Sequence, residues 1–277
     1  MKLKIVLIAV GVILIITGSF MFWRATHAPK RKIIVRKSAV AKAAAKKKAL
    51  PVIQKKFSNP RVAIVIDDFG YNMNNLDTLF AIKKPVTLSI LPNLPYSRRV
   101  ASLAGSKGYE VILHLPLESN DKSAPAEEGT IKTDMDKKDV VSILEKDMKS
   151  VPGLKGISNH QGSRATEDKN LMCTIIGDLK NKKLYFFDSL VTDKSVCGEV
   201  ALSAGIPYAK RDMFLDNESS PDYIEKQILA LRRFAFRKGR AIAICHDRKN
   251  TIAVLKRMMP ELASEGITFV YLSDMVK

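Results

Sequence analysis

Val62-Ala63-Ile64-Val65-Ile66-Asp67-Asp68-Phe69-Gly70 is the stretch that decides the fold. Five consecutive apolar residues, mostly β-branched, offer no polar alternation, so a strand built from them is buried on both faces. That is the signature of a parallel sheet covered by other elements. Comparable runs recur at residues 86–91, 110–113, 184–187, 241–245 and 268–272, with weaker candidates at 154–158 and 206–209. Between them lie helical patterns at 74–82, 98–107, 137–150, 169–180, 196–204, 221–237 and 251–265. Strand and helix alternate through seven or eight units, which predicts a parallel α/β sheet or barrel.

Such folds gather their functional residues at the C-terminal ends of the strands. The first strand ends in Asp67-Asp68. The third ends in His114, with Glu118 four residues on, and the next in Asn159-His160-Gln161-Gly162-Ser163-Arg164. Asp188-Ser189 and His246-Asp247 close two later strands, and Arg211, Asp212 and Asp216 follow another. The chain has four histidines, and the three beyond His27 all stand at expected strand ends. An Asp-Asp pair is often only a helix cap and a turn, and a lone His at a strand end is more often structural. The conjunction of all of them argues for a polar active site.

Two adjacent aspartates closing a buried strand repel each other, which a divalent cation or a shared proton relieves. One carboxylate and two imidazoles form a familiar ligand set for Zn²⁺ or another first-row metal. Such a metal acidifies water and polarises a carbonyl, a second carboxylate can take the water's proton, and a separate histidine can protonate a leaving amine. Asp67, Asp68, His114, His160 and His246 supply one complete set for amide hydrolysis.

Charge is divided unevenly along the chain. The net charge is +18, but residues 1–57 hold 14 Lys or Arg and no Asp or Glu, leaving 32 basic against 28 acidic residues elsewhere. The remainder carries no excess that would recommend a nucleic-acid binder. Residues 5–23 form 19 uncharged, Ile/Val/Leu-rich positions ending in Phe22-Trp23, long enough to nearly span a bilayer core of about 30 Å. The bulky residues at 20–23 make a poor cleavage site, so the expectation is an uncleaved transmembrane anchor at 1–23. A Lys/Ala-rich linker follows at 24–57, and one domain at 58–277. The basic flank after the anchor favours a cytoplasmic domain, while the short basic start before a long apolar run favours export. Cys173, Cys197 and Cys245 make no disulfide framework or CxxC zinc pair; a Cys173–Cys197 bridge and buried free thiols both fit.

The segments Val65-Ile66-Asp67-Asp68-Phe69-Gly70, His114-Leu115-Pro116-Leu117-Glu118, Asn159-His160-Gln161-Gly162-Ser163 and Ile244-Cys245-His246 resemble, in order, the signatures of the divergent polysaccharide deacetylases. Phe187-Asp188-Ser189 and Arg211 through Asp216 fit as well, so the resemblance covers residues 60–277. It implies a distorted seven- or eight-stranded (β/α) barrel and metal-dependent N-deacetylation of an envelope polysaccharide or peptidoglycan-type glycan. By the same resemblance Asp67 is the catalytic base, Asp68 and His114 are metal ligands, and His246 is the general acid. Glu118 stands where ordinary deacetylases place their second ligand histidine. Either Glu118 or His160 completes the set, and His160 is the expected ligand, with Glu118, Asn159, Arg164, Asp188 and Arg211 as substrate-binding candidates. The resemblance also implies a domain outside the inner membrane, in the periplasm. The changed ligand leaves a second expectation: an envelope protein that binds glycan or a partner in the same cleft without turnover.

Overall fold

The computed structural model describes residues 57–277, so the anchor and all but the last residue of the linker expected from the sequence lie outside the described residues. Among the described residues no helix is long and apolar enough to cross a membrane. The strands are β1 (Arg61–Phe69), β2 (Thr87–Ile90), β3 (Glu110–Leu117), β4 (Gly156–Gln161), β5 (Tyr185–Asp188), β6 (Tyr208–Lys210), β7 (Met213–Phe214), β8 (Arg240–His246) and β9 (Thr268–Phe269). They form one sheet in the order β6-β5-β4-β3-β2-β1-β8-β7, with β9 beside the start of β1. Every pairing is parallel.

The sheet's curvature follows from its connectivity. β6 and β7 lie at opposite ends of the strand order, yet only Arg211 and Asp212 separate them in sequence. Three Cα steps reach at most about 11 Å, so the two edges must curl towards each other. They do not pair. The Arg211 amide donates to Asp188 O on β5 (3.1 Å) and the Asp212 amide to Ile242 O on β8 (2.9 Å). The expected barrel is therefore a curled half-barrel, open where these two residues spend their backbone bonds on other strands.

The helices are α1 (Leu76–Phe80), α2 (Ser97–Ser106), α3 (Lys137–Ser150), α4 (Lys169–Lys182), α5 (Cys197–Ala204), α6 (Pro221–Lys238) and α7 (Lys249–Ser264). Their ends follow local chemistry: Asp136 and Asp168 cap α3 and α4 by accepting from Asp139 N and Leu171 N, and Ser220 caps α6 ahead of Pro221. These elements match the sequence expectation except at weak points. β7 is too short to leave a pattern, and Leu272–Asp274 is a 3₁₀ turn rather than the end of a strand.

The period of two in β1 divides the core. Val62, Ile64 and Ile66 pack outward with helix residues such as Leu79, Leu255 and Met259. Ala63 and Val65 point inward with Ile112, Phe187, Ile242 and Ile244, and Leu272 and Met275 plug the same interior. Each large buried side chain contributes about 1.5–3 kcal/mol. Asp67, His114 and His246 continue the inward rows of β1, β3 and β8 to the C-terminal rim, where the apolar filling stops. The three cysteines are free, Cys173 exposed and Cys197 and Cys245 buried, so the Cys173–Cys197 bridge is not formed.

Candidate active site

At the end of β1 two residues, Asp67 and Asp68, face one of β2, Ser89: Ile66 pairs with Leu88 and Phe69 with Ile90. This bulge takes Asp68 into the left-handed region (φ 68°), and it turns to one side two neighbours that a regular strand would point to opposite faces. Both approach one imidazole, with His114 Nε2 at 3.7 Å from Asp67 Oδ2 and 3.5 Å from Asp68 Oδ1. Phe69 anchors the bulge in the core. Gly70 (φ 128°) closes it, because a Cβ there would meet Ser97 Oγ at 2.9 Å. Gln161 (φ 51°) and Leu190 (φ 50°) repeat the left-handed conformation at the ends of β4 and β5. Strain of about 1 kcal/mol or more at each persists only where surrounding bonds enforce it.

His160 Nδ1 lies 3.4 Å from Asp68 Oδ1, and its ring meets that of His114 edge-on at 4.9 Å. Asp68, His114 and His160 place their ligand atoms within 4.8 Å of one another. The Asp68 Oδ1 atom is buried and accepts no hydrogen bond. Ligand atoms about 2.1 Å from a tetrahedral Zn²⁺ stand about 3.4 Å apart, so the 3.5 and 3.4 Å separations and the orphaned oxygen fit a divalent cation. Ser158 Oγ lies 2.8 Å from His114 Nδ1 and 2.8 Å from Ser89 Oγ. Donation from Nδ1 to Ser158 leaves the Nε2 lone pair facing the aspartates. Burial opposes ionisation of Asp68, but the neighbouring His114 and His160 outweigh it and hold the carboxyl far below its ordinary range. Asp67 is pushed the other way, chiefly by burial and further by Asp68.

His246 stands across the cavity. Its Nδ1 is 2.8 Å from Asp216 Oδ1, while Asp216 Oδ2 accepts from the His246 amide (2.9 Å) and from Thr251 Oγ1 (2.8 Å). Burial lowers the His246 pKa, but the Asp216 carboxylate outweighs it and raises the imidazole above its ordinary value. Phe214 stacks on the ring at 5.9 Å. Asp67, Asp68, His114, His160 and His246 all line one cavity of about 200 Å³, with Asn159, Gln161, Ser189, Val191 and Phe214.

The other sequence candidates are placed differently. Glu118 turns away from the ligand cluster: its Oε2 accepts from Thr133 N (2.8 Å) and Oγ1 (2.7 Å), and Arg164 Nε lies 3.4 Å from its Oε1. Of the two alternatives for the third ligand, the geometry gathers His160. Asn159 lines the cavity, but its amide is bonded to Gln161 O and Ser189 N. Asp188 accepts from Leu190 N, Ser195 Oγ and Tyr208 Oη. Arg211 donates to Ser189 O and Leu190 O and stacks on Phe214 at 3.9 Å. These three hold the rim in shape. Ser89, Ser158 and the Asp216–His246 pairing were missed; isolated serines inside apolar strand runs were the one available signal.

A family model for the divergent polysaccharide deacetylases matches residues 64–276, and the chain belongs to that family. It is 34% identical over 208 residues to an uncharacterized protein of Haemophilus influenzae, covering 74% of each chain. An uncharacterized protein from Agrobacterium tumefaciens C58 superposes with a TM-score of 0.74 at 24% identity, over 79% of this chain and 90% of that one. The catalytic domain of a peptidoglycan N-acetylglucosamine deacetylase from Eubacterium rectale shares the fold at a TM-score of 0.50 and 13% identity, over 77% and 88% of the two chains.

Proposed function

We propose that the domain is a metal-dependent hydrolase that removes the acyl group from an N-acylated envelope polysaccharide of peptidoglycan type. The observation that carries this reading is one cavity holding the Asp68–His114–His160 cluster, the buried Asp67 and the Asp216-held His246. A divalent cation such as Zn²⁺ on that cluster would supply Lewis acidity at the acyl oxygen and acidify water. Asp67, its proton affinity raised by burial, accepts the proton of the attacking water. His246, its proton affinity raised by Asp216, gives its proton to the departing amine as the C–N bond breaks. Glu118 and Arg164, paired at 3.4 Å outside the ligand cluster, are the residues assigned to contact the glycan chain beyond the acyl group. Residues 1–23 would hold the domain to the inner membrane on its periplasmic side, with the basic linker 24–57 as spacer.

The test is metal content and deacetylation of N-acetylglucosamine oligomers by the detergent-solubilised full chain. About one bound cation per chain and turnover are expected, with both lost in Asp68→Ala and His114→Ala. Turnover retained by either variant sinks the mechanism. Glycan binding that survives metal removal, without any turnover, would favour a non-catalytic binding protein instead. A reporter fused after Lys277 should be active only in the exported compartment.

A further inference from the structure

The cavity contains a group that the proposed chemistry does not use. Ser189 is 3% exposed and lines the cavity, yet its Oγ has no hydrogen-bond partner within the protein. The backbone of the turn that carries it is held by hydrogen bonds. Ser189 N donates to Asn159 Oδ1 (2.8 Å), and Arg211 donates through Nε to Ser189 O (2.7 Å) and through Nη2 to Leu190 O (2.7 Å). Leu190 N donates to Asp188 Oδ1 (2.7 Å), and Asp188 is itself tied to Ser195 Oγ (2.6 Å). Leu190 is held at φ 50°, a conformation that a β-turn of free chain would give to glycine or asparagine. Asn159, Asp188 and Arg211 thus brace a strained turn in which the Ser189 hydroxyl is the hydrogen-bonding group left over.

Among the described residues, three of the four buried side-chain atoms without a partner lie in this cavity: Asp67 Oδ1, Asp68 Oδ1 and Ser189 Oγ. Ionised carboxylates only accept hydrogen bonds. The hydroxyl is the orphan that brings its own proton, so it matches a ligand that offers an oxygen acceptor. An unpaired buried hydroxyl is costly, and here nothing in the fold relieves it.

We propose that Ser189 is a ligand-binding residue whose hydroxyl donates to the acyl oxygen of a substrate, or to the carboxylate of the acid released from it. The chemical class of that ligand rests on the hydrolase reading above. The test is calorimetric titration of acetate into the Zn²⁺-loaded full chain, in parallel with oligomer turnover. Ser189→Ala should keep its metal content and hold or raise its melting temperature while binding acetate about tenfold more weakly, the effect of one lost hydrogen bond. Ser189→Thr, which keeps the hydroxyl, should recover most of that loss. Equal acetate affinity in Ser189→Ala and the parent would overturn the proposal and leave the hydrolase reading standing. A threonine variant as weak as the alanine one would assign the effect to cavity shape and overturn it too. A parent chain that neither binds acetate nor turns over oligomers would overturn both.

Discussion

Glu110 and His114 lie on the same inward row of β3, four residues apart, one at each end of the sheet's interior. At the N-terminal end, Glu110 Oε1 accepts from Thr87 Oγ1 (2.9 Å), Tyr185 Oη (3.0 Å) and Ser273 N (3.1 Å). At the C-terminal end, Asp67 and Asp68 crowd His114 and each leaves a buried oxygen without a partner. Burying a carboxylate is costly unless donors compensate it. One end of the fold supplies those donors from three separate elements, and the other withholds them. The difference separates a carboxylate that locks the C-terminal segment onto the sheet from carboxylates left ready for a cation, a proton and a substrate.

The sharpest way to break this contrast is Asp67→Asn. Turnover should fall by about 10²–10⁴ while the cation is retained, measured by steady-state assay and elemental analysis. The same variant tests the cost of burial. Because the folded-state pKa of Asp67 is raised, the native chain keeps this proton to higher pH than the unfolded chain does. Asp67 therefore costs stability as pH rises above its unfolded value, until it ionises in the fold as well. Melting curves of the metal-free protein should show Asp67→Asn gaining on the parent as pH rises from acid to neutral. An Asn variant no more stable at neutral pH would remove the idea that this end is strained.

The next effect belongs to Asp216. Its carboxylate raises the His246 pKa, so Asp216→Asn should move the alkaline limb of the activity profile to lower pH. Beyond that limb the rate falls about tenfold per pH unit. Asp67 and Asp68 raise His246 as well, so the shift should be partial. An unmoved limb would assign the limb to another group.

Glu110→Ala should orphan up to three donors at about 1–3 kcal/mol each, lowering the melting temperature without changing metal content or low-temperature turnover. Lost metal would mean that the two ends are coupled. The smallest effect is expected of Glu118→Ala, which loses bonds at a partly exposed pair worth about 1 kcal/mol or less. It should leave the cation in place, and cation loss would return Glu118 to the ligand set.

Helix α3 was legible to the residue, because its stripe of Val140 and Leu144 and its Asp136 cap are local features. β1, β3 and β8 were legible for the same reason, and so was the gathering of Asp67, Asp68, His114, His160 and His246 at strand ends. Glu118 and His160 were not separable, since their distances to Asp68 depend on how β3 and β4 end. Asn159, Asp188 and Arg211 are substrate-binding candidates by sequence, and their shared bonds to the turn at Ser189 and Leu190 were not legible because they depend on how the ends of β4, β5 and β6 meet.

The sequence by itself determined the alternating parallel architecture and the rim on which the chemistry sits, since both follow from hydrophobic periodicity and from residues adjacent in the chain. Only the tertiary structure decided that Asp67 and Asp68 share one imidazole, that Ser89 and Ser158 stand behind His114, and that Asp216 holds His246. Those relations arise from a bulge, a curl and pairings across 30 to 69 residues, and no local pattern specifies which inward-facing groups a curved sheet will bring into contact.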